Sequence, residues 1–138
     1  MTKGFEDLKA WQLARQLMIR CHKLADALPA KERYDLISQI RRSSKSIMAN
    51  IAEGYGRYHY LDSLRFYYIA RGSLEETINH VITAHDLEYI DRAHFQETYD
   101  LARETERTLN GTIRYVRRQK AGHTTYGDKY IPDPTEPT

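Results

Sequence analysis

Apolar residues recur every three or four positions through four stretches of the chain, and polar or turn-forming residues separate the stretches. That period belongs to amphipathic helices. The first stretch runs from about Phe5 to Leu28, with Leu8, Trp11, Ala14, Met18, Cys21, Ala25 and Leu28 in step. Pro29 closes it, because proline has no amide to donate. The second begins near Lys31 and repeats Ile40, Ser44, Ile47, Ile51 and Tyr55, with Met48 and Ala52 beside them. Gly54 and Gly56 are placed to end it in a left-handed conformation. A tyrosine-rich connector over residues 55–61 leads to Asp62, expected as an N-cap. The third stretch, from about Ser63 to Tyr89, uses Tyr67, Ala70, Leu74, Ile78, Val81 and Ile82. Asp91 is placed to cap a fourth, built on Phe95, Tyr99, Ala102, Leu109, Ile113 and Val116. Its period crosses Asn110 and Gly111 without a shift, which predicts one helix with a weak point.

After Lys120 the period stops. Residues 122–138 are rich in Gly, Pro and polar side chains and are expected to form a flexible or loosely packed tail outside a domain of residues 1–121. Short connections favour antiparallel neighbours. The expected fold is all-α, an antiparallel up-down-up-down four-helix bundle.

A second pattern runs beside the apolar one. In RRSSKSIMANIAEGYGR (41–57), Ser43, Ser46, Asn50 and Glu53 share a strip next to the core face, and Arg42 lies one turn before Ser46. In YIARGSLEE (68–76), Gly72 and Ser73 interrupt the apolar repeat and Glu76 follows. Ser and Asn are indifferent helix formers, so helix propensity did not select them. One reading is a buried seam joining Arg42, Ser43, Ser46, Asn50, Glu53, Ser73 and Glu76, at a helix pair or a subunit interface. The other readings are an exposed ligand pocket and ordinary solvated positions. Mid-helix glycine costs about 0.5–1 kcal/mol against alanine, so Gly72 suggests a close helix approach within the bundle or between subunits.

These two linked motifs, RSSxSIxxNIAEG and IAxGSxxE, also carry a resemblance that covers roughly Phe5 to Lys120. The chain resembles the bacterial four-helix-bundle proteins, also called 23S rRNA intervening-sequence (S23-like) proteins. The resemblance implies a four-helix bundle assembling as a homopentamer, with a connection to RNA or other nucleic acid. It also implies distant kinship to accessory factors of the reverse transcriptase in diversity-generating retroelements.

Composition narrows the classes. A chain of 138 residues suffices for one domain with a four-helix core. It has neither an apolar run of membrane-spanning length nor a signal-like N-terminus, so the expectation is a cytoplasmic protein without a membrane partner. The lone Cys21 is in step with a helix face and is expected to act as a small buried hydrophobe. Net charge is +2, yet residues 62–110 hold ten acidic against five basic side chains, while residues 111–130 hold five basic against one acidic. A basic end beside an acidic flank suits nucleic-acid contact, and equally suits head-to-tail association.

The basic set is Arg114, Arg117, Arg118 and Lys120. Its alternatives are a solvated helix end complementing the dipole and a set of phosphate contacts, extended by His123, Tyr126, Lys129 and Tyr130. Eleven tyrosines, several clustered near residues 55–68, suit interface packing better than base stacking. The chain has no Glu-x-x-His pair for a di-iron site; Asp91-x-x-His94 lies at a helix start, and His80 and His85 are five apart. No nucleophile elbow or Gly-rich phosphate loop occurs. The expectation is therefore no enzyme, no cofactor, no metal and no catalytic residue. The leading expectation is an oligomeric module with RNA affinity. The alternatives are a scaffold or accessory subunit for a protein partner and, behind it, an enzyme with a small-molecule site on the Ser-Asn-Glu strip.

Overall fold

A computed structural model describes residues 4–57 and 59–119. The described residues form four long helices and two short 3₁₀ turns, with no strand among them. Helix α1 spans Lys9–Asp26, α2 Leu36–Tyr55, α3 Tyr60–Asp86 and α4 Arg92–Gln119. The expected tail, residues 122–138, lies outside the described residues, as does Lys120. No helix among the described residues is long and apolar enough to cross a membrane.

Each helix packs on two others: α1 on α2 and α4, and α3 on α2 and α4. The core is a single cluster of Leu, Ile, Ala and Tyr from all four helices, including Leu17, Ile47, Leu64, Leu74 and Leu109. The expected stripe of α1 is partly displaced. Leu13, Leu17 and Leu24 are buried with Ala14, Cys21 and Ala25, while Trp11 and Met18 are only half-buried. A helix that touches two neighbours buries a face wider than one line of residues. Cys21 has no exposed surface, and burial pushes its thiol up to about 12. It stays protonated and acts as a small hydrophobe.

Element ends depart from expectation in three places. α2 begins at Leu36, not near Lys31, because Pro29 is extended and Ala30–Glu32 form a 3₁₀ turn. Asp62 is not an N-cap. α3 starts at Tyr60 behind an extended His59, so Asp62 falls in its first turn. Gly56 is right-handed, at φ −74° and ψ −6°, so no left-handed glycine ends α2. The Gly56 and Arg57 amides meet the carbonyls of Ala52, Glu53 and Gly54, and the Ser63 hydroxyl adds to them, donating to the carbonyl of Gly54 at 2.8 Å and lying 3.1 Å from that of Arg57 just beyond the helix. Helix ends leave carbonyls without full intrahelical partners, and here a side chain of α3 reinforces the backbone turn. Asp91 does cap α4, accepting the His94 amide at 2.8 Å. α4 runs through Asn110 and Gly111 without a break, with Arg71 donating to Asn110 at 3.1 Å.

The two helical glycines of the motifs exchange roles. A β-carbon on Gly72 would meet nothing within 4 Å, and the residue is exposed. The expected close approach at Gly72 is therefore absent among the described residues. It occurs instead at Gly54, where a β-carbon would lie 2.6 Å from the Tyr67 ring and 3.1 Å from the Ser63 carbonyl. Replacing Gly54 with Ala should lower stability by about 1–3 kcal/mol, the usual cost of overpacking. Gly72→Ala should raise it by about 0.5–1 kcal/mol through helix propensity. Urea titrations followed by circular dichroism will measure both, and equal shifts of one sign would contradict this assignment.

Candidate functional site

Hydroxyls line the contact between α2 and α3. Thr77 Oγ1 lies 2.8 Å from Ser43 Oγ and 2.8 Å from the Ser73 carbonyl. Both Ser43 and Thr77 are fully buried. One turn along, Ser46 Oγ and Ser73 Oγ are 2.8 Å apart. Asn50 donates to the Ser46 hydroxyl at 3.0 Å and to the Ser46 carbonyl at 2.9 Å. Because Asn50 donates to Ser46, the Ser46 hydroxyl is free to donate to Ser73. Contact positions rise on α2, through 43, 46 and 54, as they fall on α3, through 77, 73 and 63.

The strip grades from dry to wet. Ser43 and Thr77 are in the core, whereas Ser46, Asn50 and Ser73 are half-buried. Arg42 reaches Glu76 at the surface, and His80 Nε2 lies 3.0 Å from the same carboxylate. Glu53 does not join the set. It is 57% exposed, pairs with Arg57 at 3.2 Å, and edges an open depression of about 380 Å³ with Ala49 and Gly56. Helical geometry explains the split. Residues 43, 46, 50 and 53 wind gradually around α2 relative to the straight line of contact with α3, so the last one turns to solvent. Thr77 was not anticipated, although it lies one turn from Ser73 and completes a serine–threonine repeat.

The basic positions of α4 form a longer row than the terminal cluster suggested. Arg114 and Arg118 are exposed, Arg117 is half-buried, and Lys120 lies outside the described residues. Arg107, two turns before Arg114, is exposed on the same face. Arg107, Arg114 and Arg118 have no ion pair among the described residues, and Tyr115, 62% exposed, stands beside them. Glu104 and Glu106 flank the row. Glu106 is already held by Arg103 at 3.0 Å, and Arg103 also lies over the Tyr99 ring. The heptad spacing of Arg107 and Arg114 was the readable signal for this row.

The histidines pair locally. His94 lies 2.8 Å from Asp91, whose carboxyl is held below its usual range chiefly by the His94 backbone amide and then its ring. Among the described residues, no group of three or more His, Cys, Asp or Glu side chains is placed to hold a metal ion.

Four long helices on one core, with hydroxyl pairing between the second and third, define the class: an all-α helical protein. The 23S rRNA-intervening sequence protein family matches residues 6–111, and the chain belongs to that family. A crystal structure from Bacteroides thetaiotaomicron VPI-5482, of a protein with unknown function from the S23 ribosomal protein family, has the same fold. The TM-score is 0.71 at 24% identity, over 76% of this chain and 98% of the other. No curated protein matches.

Thr77→Val should cost about 1–3 kcal/mol, because it removes the 2.8 Å partner of the buried Ser43 hydroxyl and leaves that group only a 3.5 Å contact with the Ile40 carbonyl. Glu53→Ala and Glu97→Ala should each cost about 0–1 kcal/mol, as exposed ion pairs do. Thermal melts of the three variants will rank them, and a loss at Glu53 as large as at Thr77 would overturn the division into dry and wet halves.

Proposed function

We propose that this chain is a non-enzymatic helical module that associates with RNA through the arginine row of α4 and acts as a homo-oligomer. The observation that carries the reading is Arg107, Arg114 and Arg118, exposed on one helix face and without ion pairs among the described residues. Guanidinium groups suit phosphate oxygens, which they can engage with two parallel hydrogen bonds. Tyr115 beside them adds a flat ring on which an unpaired base can stack. Such contacts recognise charge and shape with little base selection. The family's description, which refers to 23S rRNA, supports the same partner.

We infer an antiparallel up-down-up-down bundle, supported by the opposed α2–α3 register and by the α3–α4 pairs 71 with 110 and 85 with 95. The assembly inferred is the homopentamer that the family resemblance implies. Ile69, 45% exposed beside Gly72 on α3, supports self-association by offering an apolar, narrow-profile face. Five copies would repeat the arginine row and make weak single sites multivalent. The expected setting is the cytoplasm.

Replacing Arg107, Arg114 and Arg118 with Gln should weaken retention of unrelated single-stranded RNAs about equally. The log-log salt slope should flatten by about 2 per protomer, since each lost phosphate contact removes about 0.7. Helicity should be unchanged. Wild-type protein that shows no salt-sensitive RNA retention near about 50 mM salt, where such binding is strongest, would instead favour a scaffold for a protein partner.

Light scattering at micromolar concentration should give about five times the monomer mass of 16.2 kDa. Ile69→Asp should reduce that mass without loss of helicity, because a charge buried at an apolar interface is costly. A wild-type monomer at all concentrations removes the assembly from the reading.

A further inference from the structure

A cavity of about 600 Å³ opens between α1, the turn after α3 and the start of α4, away from the hydroxyl seam and the arginine row. Its volume falls within the range of about 300–1,000 Å³ typical of small-molecule sites. The lining has an apolar part, made by Ile19, Leu24 and Ile90. Ile19 leaves 42% of its surface exposed there.

The charged part is unevenly satisfied. Glu97 is held by Arg20 at 2.8 Å. Asp91 accepts the His94 amide and faces its ring, each at 2.8 Å. Both carboxylates of the lining are therefore engaged. Lys23 also lines the cavity and has no ion pair among the described residues. Lys23 is thus the charged group of the lining left without a partner among the described residues, and it stands beside apolar surface.

The rim is built in advance. Glu88 takes a left-handed conformation at φ 63°, and the Tyr89 amide returns to the Ala84 carbonyl at 2.9 Å. The Tyr89 hydroxyl donates to Glu32 at 2.7 Å, which ties this turn to the turn after α1. A wall fixed before binding reduces the ordering cost that a ligand must offset.

We propose that this cavity binds a small amphipathic carboxylate, its apolar body against Ile19, Leu24 and Ile90 and its carboxylate on Lys23. An amine of the same shape would meet Lys23 with like charge, and a neutral alcohol would gain the apolar contact alone.

Octanoate, octanol and octylammonium, titrated into full-length ¹⁵N-labelled protein, separate these cases. Octanoate should shift the amides of residues 19–27 and 89–98 saturably. Octanol should bind about tenfold more weakly, as expected for one lost charge-assisted hydrogen bond, and octylammonium should not bind. Lys23→Gln should weaken octanoate about tenfold and leave octanol unchanged. Ile19→Gln, at a partly exposed position, should weaken octanoate and octanol alike. Circular dichroism will confirm that both variants fold. Equal binding of octanoate and octylammonium, an unchanged Lys23→Gln, or shifts absent or centred elsewhere would each overturn the proposal.

Discussion

Ser43 and Thr77 lose all contact with water when α2 packs on α3, so their hydroxyls can be satisfied only by each other and by nearby backbone. A buried polar group left unpaired costs about 1–3 kcal/mol, against a total stability of about 5–15 kcal/mol for a domain. Sliding α2 along α3 would break this pair, the Ser46–Ser73 pair and the Ser63–Gly54 bond together. Apolar packing tolerates many registers, and hydroxyl pairing tolerates few. The α2–α3 register is therefore the constraint on which the other contacts depend.

Gly54 and Ser63 extend that constraint to the end of α2. Gly54 lets the Tyr67 ring lie against the helix backbone, and Ser63 adds a hydroxyl donor to the Gly54 carbonyl at the helix end. This junction replaces a left-handed glycine stop. It also burdens Tyr67, whose hydroxyl is pushed up to about 12 by burial and, less, by Tyr55 nearby. With α2 and α3 set, α3 positions α4 through Arg71 on Asn110 and the stacking of His85 on Phe95. The exposed arginine row of α4 follows from that orientation, as Leu109 and Ile113 turn into the core.

Local sequence was enough for much of this. Four apolar periods marked four helices, Pro29 and Asp91 marked two of their ends, and the unbroken period across Asn110 and Gly111 marked α4 as one helix. The serine–asparagine strip was legible as unusual because its residue types are poor choices for helix propensity alone. What it was for was not legible, since Ser43, Ser46, Asn50 and Glu53 look alike in spacing. Their fates range from fully buried to 57% exposed.

Periodicity and residue chemistry by themselves determined the helices, their order, the buried thiol and the motifs that place the chain in its family. Tertiary structure alone decided which glycine receives a neighbour, which acidic residue stays in solvent and which hydroxyl completes the seam. It also decided that a cavity with an apolar wall opens beside Lys23. The reason is physical. A helix imposes the same spacing on every residue it contains, and only the helix packed against it makes one position dry and the next wet.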